Sequence, residues 1–252
     1  QAETSFASTF TWKSRLQCAC DIAEGMHYIH SKGRVHRDLK SMNVLCDAAG
    51  RAKIADLGLA TSIECYGSKS DMIKFSAKRD KLESSGSKED CNGVPHVQDA
   101  TAWTGTSSWM APEITFVDQK TKKATYGNAV DVYSFGVVMW EIMTKRLPWR
   151  DENLKFDHEI LKLVKEGRRP EATKKEIDSS PEGWVELMWK CWAGDPSYRP
   201  TFKHIKEILD DMLVRYSREI VQLDENVLKK EMKRLLNEVD HLVKKKMYHE
   251  AA

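Results

Sequence analysis

Apolar or aromatic side chains recur every three or four positions at Trp12, Leu16, Ala19, Ala23, Met26 and His30, the stripe of an amphipathic helix over residues 12–31. Gly33 is its expected stop, because a glycine accepts the left-handed backbone that ends many helices. The stretches RVHRDLK, NVLCD and AKIADLGLA follow as short β-type pieces joined by loops. Residues 131–149, DVYSFGVVMWEIMTKRLPW, differ in kind, since large apolar groups fall on every side of the helical wheel. Such a helix must be buried all round and is expected to be the hub of the domain. HEILKLVKEG and WVELMWKCW read as further helices, the first stopped by Gly167 and followed by Pro170. The helical spacing of Trp184, Trp189 and Trp192 assigns them to the core or a groove lining rather than to a nucleic-acid stacking platform.

From Ile205 onward the pattern is charged and helical. Leu213, Tyr216, Ile220, Leu223 and Val227 form one 3,4-spaced set, Leu228, Met232, Leu235, Val239 and Leu242 a second, and the phase slips between Val227 and Leu228. A continuous helix over 205–248 would reach about 66 Å, longer than a compact domain needs. Two readings stand: a protruding helix or coiled-coil arm with a helical partner, or a helix that breaks near Asp224 and folds back. The lysines at 229, 230 and 244–246 fit a solvated face better than a membrane anchor.

Residues 61–100 change character again, rich in Ser, Lys, Asp and Gly with few large apolar groups, as expected of an inserted solvated loop. Acidic residues are mixed through it and no aromatic platform accompanies its lysines, which argues against nucleic acid. Lys+Arg 40 against Asp+Glu 38 leaves a net charge of +2, so partners must be argued from sites rather than from bulk charge. The six cysteines show no C-x-x-C spacing, which fits a cytoplasmic chain without a disulfide framework. Cys18 and Cys20 are expected to be packing residues. No apolar run approaches the roughly 18 residues of a membrane span. The amino terminus lacks Met and a signal pattern, as if the chain began inside a larger coding sequence.

The chemistry gathers in HRDLKSMN, residues 36–43. Phosphoryl transfer to a hydroxyl needs a carboxylate to orient the hydroxyl and take its proton, a cation to offset charge on the moving group, and oxygen ligands for a divalent metal. Asp38 can be the carboxylate, Lys40 the cation and Asn43 a neutral ligand. Asp56 in ADLGLA supplies an anionic ligand, with Gly58 allowing the turn around it.

HRDLKSMN, DLG, WMAPE, DVYSFG and DPSYRP occur here in the order and contexts of the eukaryotic protein kinase fold, which the chain resembles over residues 9–213. The resemblance implies a mainly α, protein-kinase-like fold: the large helical lobe with short β-hairpins at its active site, residues 1–213, followed by a helical or coiled-coil tail at 214–252. It implies ATP and Mg²⁺ as cofactors, protein substrates, Asp38 as catalytic base, Lys40 on the γ-phosphate, Asn43 and Asp56 on Mg²⁺, and Leu45 in the floor beneath adenine. Glu113 would pair with Arg199, and Asp131 would hold the His36–Arg37 backbone. Because Arg37 precedes the base, a phosphate in the segment before WMAPE is expected to regulate activity, with Thr101 and Thr104 as nearest candidates. Lys40, and Thr106 placed to bond both Asp38 and Lys40, resemble serine/threonine kinases, while LQCACDIAEGMHYIH and CWAGDPSYRP resemble the tyrosine-kinase-like group, most of whose members act on Ser and Thr.

Leu57 stands where the family usually has Phe and is expected to keep an apolar packing role beside His36. Asp56 and Glu113 lie 57 positions apart, a long spacing that the 61–100 insertion explains. Only 35 residues precede His36, without a G-x-G-x-x-G loop or a V-A-I-K lysine, so the expectation is that the smaller lobe is missing and these 252 residues alone transfer no phosphate. The sequence therefore supports an ATP-dependent serine/threonine kinase represented by its catalytic lobe, a signalling enzyme; the alternative is a lobe-only pseudokinase acting as an interaction module. A dual-specificity or tyrosine kinase ranks third.

The arm reading predicts oligomers by light scattering that disappear when residues 214–252 are removed; a monomer with and without the tail excludes it.

Overall fold

The computed structural model describes residues 10–62, 100–101, 106–115, 123–124, 127–150, 152, 154 and 156–250. Six α-helices carry the fold among these residues: α1 (Trp12–Ser31), α2 (Ala129–Thr144), α3 (Asp157–Lys165), α4 (Lys174–Asp178), α5 (Trp184–Cys191) and α6 (Phe202–Glu250). Between α1 and α2 run β1 (Arg34–Val35), β2 (Val44–Cys46), β3 (Ala52–Ile54), β4 (Thr61–Ser62), β5 (Ala100–Thr101) and β6 (Lys123–Ala124). They pair antiparallel as β1 with β4, β2 with β3 and β5 with β6. Most of the 61–100 insertion, with Cys65 and Cys91, lies outside the described residues.

Helix α1 begins where the Thr11 hydroxyl accepts the Ser14 N–H at 3.4 Å, a side-chain N-cap. It ends at Ser31, before Gly33 with φ 67°. Its buried face, with Leu16, Ala19, Ile22, Ala23 and Met26, packs mainly on the start of α6, where Phe202, Ile205, Leu209 and Met212 are buried. Cys18 and Cys20 are buried among these residues, and burial pushes both thiols up to about 12.

Asp21 is the polar exception on that face. Burial acts to raise its carboxyl, but hydrogen bonds from Arg51, the Ala52 N–H and Gln17 outweigh it and hold the group below the usual carboxylate range. Those bonds, 2.6 Å from Arg51 Nη2 and 2.9 Å from the Ala52 N–H, fasten the β2–β3 hairpin to α1.

Helix α2 is buried at every position from Val130 to Thr144, the all-round burial its apolar wheel predicts. It ends at Thr144, earlier than the apolar pattern, because Lys145 turns left-handed (φ 58°) and its N–H closes on the Glu141 carbonyl. Gly136 lets α5 approach: a Cβ there would lie 3.0 Å from the Trp192 backbone nitrogen, close enough that the neighbouring backbone would have to shift. Trp184 and Trp192 fill the core, whereas Trp189, assigned with them to the core or a groove lining, is 54% exposed, its ring edge-on to Trp192 at 5.3 Å. Each large buried apolar side chain contributes about 1.5–3 kcal/mol against about 0–1 kcal/mol for an exposed ion pair, so packing around α2 outweighs the surface pairs.

Arg199 is almost fully buried and bonds Glu113 in bidentate fashion, Nη1 to Oε1 at 2.6 Å and Nη2 to Oε2 at 2.9 Å. Its guanidinium also lies 5.1 Å from the Tyr133 ring centre, with Arg169 5.0 Å from the same ring. Burial pushes the Tyr133 phenol up to about 12. Helix α6 runs unbroken through Asp224 for 49 residues, so the break considered for that point does not occur. Val221, Leu223, Val227, Leu228, Met232 and Leu235 are exposed along it. No helix among the described residues is long and apolar enough to cross a membrane.

Since the folded Asp21 carboxyl titrates below its unfolded value, its contribution is present above about pH 4 and is lost as pH falls through the folded value. Asp21→Asn is expected to lower Tm at pH 7, with the gap from the parent narrowing below about pH 4; a gap independent of pH, followed by circular dichroism, would contradict the assignment.

Candidate active site

The site is built on a turn that the backbone would not adopt unaided. Arg37 has φ 72°, a left-handed conformation that costs a non-glycine residue about 1–2 kcal/mol. Asp131, in the first turn of α2, holds it: Oδ2 accepts the His36 N–H and Oδ1 the Arg37 N–H, both at 2.8 Å. His30 Nε2 meets Oδ2 at 2.7 Å. The His36 ring, fully buried, accepts the Asp38 N–H on Nδ1 at 3.3 Å and meets the Ala55 carbonyl through Nε2 at 3.2 Å. An accepting Nδ1 places the ring proton on Nε2, which donates to Ala55.

Beyond this turn four side chains converge. Asp38 Oδ2 accepts from Lys40 Nζ at 2.7 Å and from Asn43 Nδ2 at 3.0 Å. Asp38 Oδ1 accepts from the Thr106 N–H at 3.3 Å and from its hydroxyl at 3.4 Å. Lys40 Nζ also donates to Thr106 Oγ1 at 2.8 Å. An ammonium has three N–H groups; two are used here, and the third has no partner among the described residues. Asn43 Nδ2 donates again, to the Asp38 carbonyl at 2.8 Å, so its amide oxygen is the end left for a ligand.

Asp56 belongs to the neighbouring loop and does not touch Asp38. The Ala55 N–H donates to the Asn43 carbonyl at 2.8 Å, and the register Val44 opposite Ile54 fixes the two loops side by side. Asp56 is left-handed (φ 58°), and its Oδ1 accepts the Gly58 N–H at 3.2 Å, which leaves Oδ2 open among the described residues. Two oxygen donors, Asn43 Oδ1 and Asp56 Oδ2, suit Mg²⁺, which keeps several waters and takes phosphate oxygens alongside one or two protein ligands. Among the described residues no cluster of three or more His, Cys, Asp or Glu could cage a metal by itself.

Leu45, on β2, is 58% exposed, and Leu57 is 55% exposed. Leu57 opens a short 3-10 helix (Leu57–Leu59) that has no buried residue and follows the left-handed Asp56, so less than half of its surface is covered. Thr101 lies in β5 opposite Lys123, and Thr104 lies outside the described residues.

Two site residues escaped the sequence reading. His30 counted as part of the apolar stripe of α1, yet it bonds Asp131. Glu141, within the apolar hub, joins two segments: Oε1 accepts the Ser41 hydroxyl at 2.8 Å and Oε2 accepts the Trp109 indole N–H at 2.7 Å. Burial raises its carboxyl above the ordinary value against the pull of those two bonds. A carboxylate in the middle of an all-round buried helix was the available signal, because buried charges need partners. Ser134 adds a third tie, donating to the Trp109 carbonyl at 2.8 Å.

A family model described as the protein kinase domain matches residues 5–209. The chain is 35% identical over 213 residues to receptor-interacting serine/threonine-protein kinase 1 of Homo sapiens, covering 84% of this chain and 28% of that protein. It is 33% identical over 204 residues to serine/threonine-protein kinase STY17 of Arabidopsis thaliana, covering 81% of this chain and 28% of that one. With the dual serine/threonine and tyrosine protein kinase of Takifugu rubripes the figure is 31% over 214 residues, 84% of this chain and 18% of the relative. The chain thus spans under a third of the length of these relatives.

Asp131→Ala orphans the buried His36 N–H and the part-buried Arg37 N–H, each costing about 1–3 kcal/mol. The variant is expected to lose about 2–5 kcal/mol in urea unfolding; a loss below about 1 kcal/mol would show that Asp131 does not hold the turn.

Proposed function

This chain belongs to the protein kinase domain family, and on that footing we propose that it is the catalytic portion of an enzyme that moves the γ-phosphate of ATP to Ser or Thr hydroxyls of a protein substrate. The observation that carries the reading is the Lys40 ammonium bridging Asp38 and Thr106 at 2.7 and 2.8 Å.

Asp38 orients the acceptor hydroxyl and finally takes its proton. The hydroxyl oxygen forms the new bond to the γ-phosphorus as the bond to the bridging oxygen breaks, and ADP leaves with that electron pair. The spare N–H of Lys40 offsets charge on the transferring group. Thr106 holds Asp38 and Lys40 at fixed separation and is the contact that favours Ser and Thr over Tyr. Asn43 and Asp56 would hold Mg²⁺, which supplies charge neutralisation on the phosphates. The exposed apolar face of Leu45 would lie under the adenine. The outward face of α6 beyond Tyr216 is the seat for a helical partner.

In the full-length protein, Asp38→Asn is expected to cut phosphotransfer to Ser or Thr peptides by about 10²–10⁴-fold, with Tyr peptides poor acceptors throughout, measured with radiolabelled ATP. Activity indifferent to this substitution, or confined to Tyr, would refute the reading.

A further inference from the structure

A cavity of about 490 Å³ opens at the C-terminal end of α2, lined among the described residues by Glu141, Lys145, Arg146, Leu147 and Arg150. Its charge is lopsided. Both oxygens of Glu141 are already taken, by Ser41 and Trp109. Arg146 is committed to Glu176 at 3.0 Å and to the Trp140 ring at 5.1 Å. The side chains of Lys145 and Arg150, both exposed, have no hydrogen bond or ion pair among the described residues. Two cations thus face the opening without a counter-charge among the described residues, beside a carboxylate that is already satisfied.

The backbone around the cavity is held in an uncommon shape. Lys145 and Trp149 are both left-handed, with φ 58° and 64°, a conformation that persists in non-glycine residues only where surrounding contacts enforce it. Location adds the functional argument. Glu141 binds Ser41, which follows Lys40 in the loop that carries Asp38. Three residues of chain span at most about 11 Å, so a peptide whose hydroxyl meets Asp38 brings a residue about three to five positions away over this opening.

We propose that the cavity is a substrate subsite that takes an anionic side chain, carboxylate or phosphate, about three to five residues from the phosphorylated hydroxyl. The proposal rests on the kinase reading above for its position, and on Lys145 and Arg150 for its chemistry. Guanidinium and ammonium donors on an anion make charge-assisted hydrogen bonds, about twice as strong as neutral ones.

The test uses the full-length protein and two readouts. In the first, Ser-acceptor peptides carrying Glu, phosphoserine, Ala or Lys at each position from two to six on either side are compared by kcat/KM. The expected result is a preference of about tenfold for the anionic peptides over Ala at one such position. Lys145→Glu with Arg150→Glu should reverse it in favour of Lys, and the milder K145Q/R150Q pair should abolish it. In the second, fluorescence anisotropy without nucleotide follows binding of labelled Glu and phosphoserine peptides, with inorganic phosphate as competitor. Binding of both peptides identifies anionic charge as the determinant, and binding of phosphoserine alone narrows the ligand to phosphate. Phosphotransfer without anionic preference, or a preference unchanged in both double variants, overturns the subsite while leaving the kinase reading intact. Absence of Asp38-dependent transfer to every peptide overturns the kinase reading, and the anisotropy arm then decides the cavity: peptide binding lost in both double variants sustains it as an anion site, and binding unchanged in them ends it.

Discussion

One buried carboxylate sets the geometry of the site. Asp131 stands in the first turn of the hub helix with no exposure to solvent, and its two oxygens take the consecutive N–H groups of His36 and Arg37. A hydrogen bond to a charged group contributes about 1.5–3 kcal/mol, so two of them offset the left-handed backbone of Arg37 with room to spare. Without that anchor the loop after β1 would relax to ordinary dihedrals, and Asp38 and Lys40 would leave their places beside Thr106.

The anchor belongs to a larger device. Asp131, Ser134 and Glu141 fall within about 80° of arc on α2 at 100° per residue, and Lys145 continues the same line. Every side of the helix is buried, but this strip is polar, and each member grips a loop: Asp131 the His36–Arg37 turn, Ser134 the Trp109 carbonyl, Glu141 both Ser41 and Trp109. A helix fixed by packing all round is rigid, so the loops inherit its rigidity. Asp38 and Thr106, 68 residues apart in sequence, are thereby held within hydrogen-bond distance. The Glu113–Arg199 pair closes the far side of the same segment and bonds the Ala129 carbonyl at the head of the helix.

Much of this was legible in the amino-acid order. The 3.6-residue periodicity of 12–31 and the all-round apolar character of 131–144 are intrinsic to the chain, because burial repeats with helical geometry. HRDLKSMN placed its acid, cation and amide within one loop, where short-range chain geometry alone keeps them close. Trp189 and Leu57 show where the reading stops. Trp189 was assigned to the core or a groove lining and Leu57 to an apolar packing role, and more than half of each is exposed, since periodicity reports which face a residue occupies and not whether another element covers that face.

What the sequence determined by itself is therefore local and compositional: which segments coil, which helix must be interior, and which residues can act as acid, cation and oxygen ligand. Tertiary structure alone decided the pairings across distance, among them His30 with Asp131 and Ser41 and Trp109 on Glu141, and the structure shows an α6 that continues unbroken through Asp224. The physical reason is that a hydrogen bond between residues 32 to 101 positions apart depends on how rigid elements pack, and packing is settled by all the contacts of the core together. No local pattern records that sum.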